Sequence, residues 1–296
     1  MSDEPRKPDY NRYVESFYRN RYSNDEEKEA PASIHYGFSE VGDNPDGETA
    51  MQNMNRILAE AVALTGDDIV LDAGCGFGGS SVWISSEYGA RVVGLNLVED
   101  QLPHARRHAE RRNVSHLTRF VSGDFTDTKL PPGSFDVVWA IESVCHTPDK
   151  AGFLRESSRL LRPGGRLVVA DFFLRERSLG AKNRKTMNRF LSGWAIPDLP
   201  RPGEFSDAAA RAGLLKASAR DITENILPSS HEMYRQALLR SYPKNLVYSK
   251  LGLRPREDFT NARSTVEQYR TLKKGLWHYG IFTATKSSQA DPHVSL

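Results

Sequence analysis

A chain of 296 residues, 39% apolar and 26% charged, has enough apolar side chain to bury a full core, and a net charge of +2 is too balanced to call for nucleic acid. No apolar run approaches bilayer-crossing length, and Met1–Tyr10 is charged and proline-containing without the apolar centre of a secretory signal; this predicts no integral membrane association and a cytoplasmic protein. The two cysteines, Cys75 and Cys145, sit in apolar or glycine-rich surroundings and read as reduced thiols rather than a disulfide framework.

Residues 1–33 are polar, but Tyr10, Tyr13, Phe17, Tyr18 and Tyr22 recur at helical spacings, which predicts an amphipathic arm with an aromatic stripe. Such an arm is also a route to a homo-oligomer. Ile34-His35-Tyr36-Gly37-Phe38 follows as an aromatic cluster before a turn over 42–47, so residues 1–47 read as a helical arm and aromatic lid. Glu48–Leu64 reads as a helix leading to a first strand at Ile69–Leu71. That strand runs through Asp72 into Gly74-Cys75-Gly76-Phe77-Gly78-Gly79, with a helix expected over Ser80–Tyr88. Glycines between a strand and a helix let backbone N–H groups approach a ligand, because no Cβ stands in the way. Gly74, Gly76 and Gly79 satisfy G-x-G-x-x-G, and a dinucleotide and S-adenosylmethionine both suit such a loop. The next strand, Arg91–Leu95, ends in Asn96, where a dinucleotide site prefers an acid.

The pattern then alternates: helix Glu99–Arg112, strands Thr118–Ser122 and Phe135–Ala140, helix Lys150–Leu161, strand Arg166–Asp171. This predicts an α/β protein with a Rossmann-like doubly wound sheet, mostly parallel, its core spanning 48–173. Asp72, Asn96, Asp124, Glu142 and Asp171 fall at or just beyond the carboxyl ends of the strands, so polar groups converge on one rim. Beyond Phe173 the regularity breaks. Arg175–Pro202, with basic residues, Phe190, Trp194 and several prolines, reads as a lid; Leu214–Ile222 reads as a sixth strand, and Ser229–Tyr242 and Ser264–Lys274 as helices. Trp277–Thr285 is expected as an antiparallel last strand, which makes 174–286 lid insertions and completing strands, and 287–296 a frayed tail. The basic residues from Lys182 to Arg189, with Arg235, Arg240 and Lys244, either clamp a diphosphate or form a solvated surface. No metal-ligand spacing is apparent.

Four motifs occur in order: Leu71-Asp72-Ala73-Gly74-Cys75-Gly76, Gly123-Asp124-Phe125, Gly133-Ser134-Phe135-Asp136-Val137-Val138 and Leu160-Leu161-Arg162-Pro163-Gly164-Gly165. In this combination the sequence resembles the class I S-adenosylmethionine-dependent methyltransferases. Within them it is most similar to the sterol C-methyltransferases, through Gly94-Leu95-Asn96, Gln101 and Ala140-Ile141-Glu142-Ser143-Val144-Cys145-His146-Thr147-Pro148. The resemblance implies S-adenosylmethionine as cofactor. It places the backbone of Gly74, Gly76 and Gly78 near the methionine portion, Asn96 and Gln101 on the ribose side, Asp124 and Phe125 on the adenine, and Ile141 and Glu142 at the same site; Asp72 either joins them or is a structural acid that hydrogen-bonds loop amides. Methylation of an alkene leaves a carbocation, which needs aromatic faces and a base. Glu142 and His146 are the catalytic candidates. Tyr22, Tyr36, Phe38, Phe190 and Trp194 are the candidate wall around a small isoprenoid-like substrate. Two other readings stand beside this one: an O-methyltransferase with His146 as general base, and a non-catalytic cofactor-binding module.

Overall fold

The computed structural model describes residues 7–22, 32–43, 45–175, 179–241 and 256–288. Seven strands form one sheet: β1 Ile69–Ala73, β2 Arg91–Asn96, β3 Thr118–Ser122, β4 Phe135–Ile141, β5 Leu161–Leu174, β6 Leu214–Asp221 and β7 Trp277–Lys286. Their order is β3-β2-β1-β4-β5-β7-β6. The first five strands are parallel, and β7 runs antiparallel to both β5 and β6. The chain builds outward from β1 to β3 and then returns to place β4 against the other side of β1. The carboxyl ends of β1 and β4 therefore flank the crevice in which doubly wound sheets bind ligands.

The central strands are apolar almost without a break because both their faces are covered. Along β4, Val137 and Trp139 enter one core cluster with Met54, Phe172 and Trp277, while Val138 and Ala140 enter the other with Phe153, Phe205 and Phe282. That division follows the two-residue period of a strand. The covering helices are α1 Lys7–Tyr22, α2 Gly47–Ala61, α3 Gly79–Tyr88, α4 Leu102–Arg111, α5 Lys150–Leu160, α6 Ala181–Ser192, α7 Pro202–Arg211, α8 Thr223–Gln236 and α9 Arg256–Lys273. Asp46 and Asp149 cap α2 and α5 by accepting from the backbone N–H groups of Thr49 and Gly152.

Two of the sequence motifs tie the amino ends of the strands together rather than touching a ligand. Asp136 accepts from the Ile69 N–H at 2.8 Å and pairs with Arg162 at 2.8 Å, so β1, β4 and β5 share one carboxylate. Arg166 pairs with Asp68 and donates to the carbonyl of Val62 at 2.8 Å, which fixes the end of α2 on the sheet.

The second half is more regular than its sequence suggests. Residues 181–192 and 202–211 are helices, the first inside the stretch expected as a lid and the second where no element was expected. Proline at the first helical position loses no hydrogen bond, and Phe205 and Ala209 bury the inner face of α7. β5 extends to Leu174 because Phe172–Leu174 pair with Trp277–Tyr279. α8 starts at Thr223 with Pro228 inside it; buried Ile226 and Ser230, four residues apart, hold that face against the core. No helix among the described residues is long and apolar enough to cross a membrane.

Candidate active site

A cavity of about 960 Å³ opens over the carboxyl ends of β1, β2 and β4, walled by α1, residues 32–36, α8 and α9. The β1–α3 loop forms its floor. Gly74 has φ +91°, and a Cβ there would stand 2.4 Å from the Cβ of Ser143. Ser143 in turn donates to the carbonyl of Ala73 at 2.6 Å, so the loops after β1 and β4 touch at a point only glycine fits. Asp72 lies beneath this contact, 3% exposed; burial pushes its carboxyl up to about 6, while its Oδ2 accepts from the Ser81 hydroxyl at 2.5 Å. Gly76 also faces the cavity. Gly78 does not line it: with φ +82° it caps α3, where a Cβ would stand 2.8 Å from that of Ala105, so its role is to turn the chain.

Beyond β2, Asn96 Oδ1 accepts from the Gly76 N–H at 3.2 Å, and its amide donates to Gln101 Oε1 at 2.8 Å and to the Val98 carbonyl at 2.9 Å. Gln101 is thereby oriented by one end only; its Nε2 is buried and finds no acceptor among the described residues. Asp124 accepts from the Thr126 N–H and hydroxyl at 2.7 and 2.6 Å and from Asn11 of α1 at 2.9 Å. Phe125 beside it meets Phe153 edge to face, and both Phe125 and Ile141 line the cavity.

Glu142 is the most perturbed acid of the site. It follows β4 with φ +46°, a costly conformation for a residue with a side chain, and strain of this kind concentrates where a side chain must be aimed. Its Oε1 accepts from the Tyr36 N–H at 2.6 Å and the Tyr279 hydroxyl at 2.9 Å, while Oε2 has no hydrogen-bond partner among the described residues. Burial pushes the carboxyl up to about 8 against the opposing pull of these two donors. His146 is held differently. Its Nδ1 lies 3.0 Å from the carbonyl of Ala195, so it must carry the proton, and Nε2 then accepts from the Tyr18 hydroxyl at 2.8 Å. Burial pushes this imidazole down to about 4, keeping it neutral.

The candidate wall divides. Tyr36 and Trp194 line the cavity. Phe38 and Phe190 do not: both are 0% exposed core residues, Phe190 packing on Phe172 and Trp277 from inside α6, while Trp194 stands in the turn after that helix. Tyr22 ends α1, and its side chain lies outside the described residues. Lys182, Arg184 and Lys185 are exposed on α6 away from the cavity, and Arg235 lines it paired with Glu232 at 3.2 Å. The Arg240 side chain and Lys244 lie outside the described residues. Asn11, Tyr18, Tyr279 and Gln268 reach the site or its carboxylates from distant elements, and no local pattern marks them.

The residues present fit S-adenosylmethionine. Its ribose hydroxyls are acceptors of the kind the orphaned Gln101 Nε2 lacks, its adenine amine is a donor of the kind a carboxylate on the cavity wall such as Asp124 accepts, and the loop at Gly74 and Gly76 leaves the backbone open to close approach. Among the described residues no group of three His, Cys, Asp or Glu could hold a metal.

Comparison with known proteins points the same way. The methyltransferase domain family matches residues 71–169. A 2-methyl-6-phytyl-1,4-hydroquinone methyltransferase of Synechocystis sp. is 34% identical over 225 residues, covering 74% of this chain and 69% of that protein. The tocopherol O-methyltransferase of Arabidopsis thaliana is 29% identical over 73% of this chain and 62% of its own length, and the sterol 24-C-methyltransferase of Eremothecium gossypii 31% over 72% and 57%. The chain thus spans 57% to 69% of these relatives. In fold it matches a geranyl diphosphate C-methyltransferase from Streptomyces coelicolor with a TM-score of 0.72 at 21% identity, covering 95% of this chain and all of that one. With relatives above 30% identity over most of their length, and a crevice between β1 and β4 that suits the cofactor, the chain belongs to the class I S-adenosylmethionine-dependent methyltransferases.

Proposed function

We propose that the protein methylates an alkene carbon of an isoprenoid, and that Glu142 takes the proton released when the resulting carbocation collapses. Bound S-adenosylmethionine supplies an electrophilic methyl on a sulfonium centre. Asn96 and Gln101 would hold its ribose, Asp124 and Phe125 its adenine, and Asp72, Ile141 and the backbone of Gly74 and Gly76 its methionine portion. With the cofactor so held, the substrate's π pair would form the new C–CH₃ bond as the S–CH₃ bond gave up its electrons to sulfur. The adjacent carbocation would then lose a proton to the Glu142 carboxylate and a double bond re-form, directly or after ring closure.

The observation that carries the reading is Glu142 Oε2, an oxygen without a partner among the described residues, on the wall of a cavity that also presents Tyr18, Tyr36, Phe172 and Trp194. Aromatic faces stabilise a cation, and a base works best when its conjugate acid titrates near the working pH. A cationic ligand in the cavity lowers the Glu142 pKa from about 8 and favours the carboxylate. The sterol and geranyl diphosphate relatives named above carry C-methylation in their names.

Methylation of a hydroxyl with His146 as base is the second reading, favoured by the tocopherol O-methyltransferase relative. Against it, both ring nitrogens of His146 are already engaged, so Tyr18 would have to leave first. Incubation with a ¹³C-methyl donor and a panel of prenyl substrates tests the choice: label on carbon is expected, and label confined to oxygen or nitrogen overturns C-methylation.

A further inference from the structure

We propose that Gln268 reads a hydroxyl group on the substrate, so that the acceptor is an uncharged, hydroxyl-bearing isoprenoid rather than a diphosphate. The inference deepens the isoprenoid reading and rests on it. Gln268 stands on α9, which packs against α6 and α8, and it lines the same cavity as Glu142. Only 4% of the residue is exposed, and its Oε1 is buried with no donor among the described residues. An amide shut away from water with one end unpaired is destabilising unless something fills the gap, and such groups are uncommon in folded proteins. The cofactor-side groups already have an orphan of their own in Gln101, which leaves Gln268 for the other ligand. A hydroxyl both donates and accepts, so it satisfies the amide whichever way the oxygen and nitrogen point.

Charge supports the choice. The described wall of the cavity carries Asp46, Asp72, Asp124, Glu142 and Glu232 against one guanidinium, Arg235, which is already paired with Glu232 at 3.2 Å. Against this described wall a diphosphate meets carboxyl groups and no unpaired Lys or Arg, whereas a neutral alcohol brings no charge to it.

The test is calorimetric binding of geraniol, geranyl methyl ether and geranyl diphosphate to the protein loaded with S-adenosylhomocysteine. Geraniol should bind roughly 10-fold more tightly than the ether, which keeps an acceptor but has no donor, and more tightly than the diphosphate. Gln268→Leu, close in size and apolar, should erase the difference between alcohol and ether while leaving S-adenosylhomocysteine affinity unchanged, which also shows that the variant is folded. Equal affinity for alcohol and ether in the unaltered protein, preference for the diphosphate, or no binding of geraniol overturns the proposal; that comparison stands even if the variant fails to fold. Discrimination by Gln268 with label delivered to the geraniol oxygen would sink C-methylation and leave this inference intact, whereas label on carbon without discrimination does the reverse.

Discussion

Replacing Glu142 by Gln tests the site where its energetics are most unusual. Burial, opposed by the Tyr36 N–H and the Tyr279 hydroxyl, raises the carboxyl from an ordinary 4.5 to about 8. The folded pKa lies above the unfolded one, so between pH 4.5 and 8 the folded protein holds a proton that the unfolded chain has released. Stability is therefore full below pH 4.5 and declines as pH rises through about 8. At about 1.4 kcal/mol per pKa unit the whole window is worth ~5 kcal/mol at most, and water reaching the carboxyl from the cavity reduces this to about 2–3. Gln is isosteric, neutral throughout, and its oxygen can accept from the same two donors. In urea denaturation without ligand, Glu142→Gln should match the parent within about 1 kcal/mol near pH 5 and exceed it by about 2–3 kcal/mol near pH 9. Asp72 and Asp171, both raised to about 6 by burial, titrate in both proteins and largely drop out of the difference. A stability difference that does not change with pH would refute the reasoning. With substrate, the same variant should lose turnover while keeping cofactor affinity.

Tyr18→Phe removes the donor to His146 Nε2, so the neutral imidazole loses support and its midpoint should rise from about 4 in a histidine NMR titration; an unmoved midpoint contradicts the assigned tautomer. Ser81→Ala should push the Asp72 midpoint above about 6, read by carboxyl ¹³C chemical shift, since it deletes a hydroxyl that stabilises the carboxylate; a fall would show another group in control. Gly74→Ala combines a left-handed backbone with a Cβ 2.4 Å from that of Ser143, and should cost about 2–5 kcal/mol in urea denaturation with loss of cofactor binding; a loss below about 1 kcal/mol would mean the two loops part easily.

The core of the sheet was legible because each of its signals is local. Strand β3 falls at Thr118–Ser122 as expected, and β1, β2 and β4 differ from expectation only by a residue or two at their carboxyl ends. The apolar runs and the glycine loop need no information from elsewhere in the sequence. α7 was hidden because proline and glycine begin it, and periodicity could not say that Phe38 and Phe190 face the core while Tyr36 and Trp194 face the cavity. The partners of the candidate acids were beyond reach for a different reason. Tyr279 meets Glu142 across 137 positions, Tyr18 meets His146 across 128 and Asn11 meets Asp124 across 113. Such pairings are made by the antiparallel last strand and by α1 lying over the rim, and a hydroxyl or amide that far away has no pattern to betray it.

The central claim is that Glu142 serves the reacting carbon rather than the cofactor's amino group. A structure with S-adenosylhomocysteine and a prenyl alcohol bound measures this directly. The account predicts Glu142 Oε2 facing the substrate's double bond beside the sulfur, free of the cofactor. Oε2 hydrogen-bonded to the cofactor's ammonium group, with the double bond elsewhere, would contradict it.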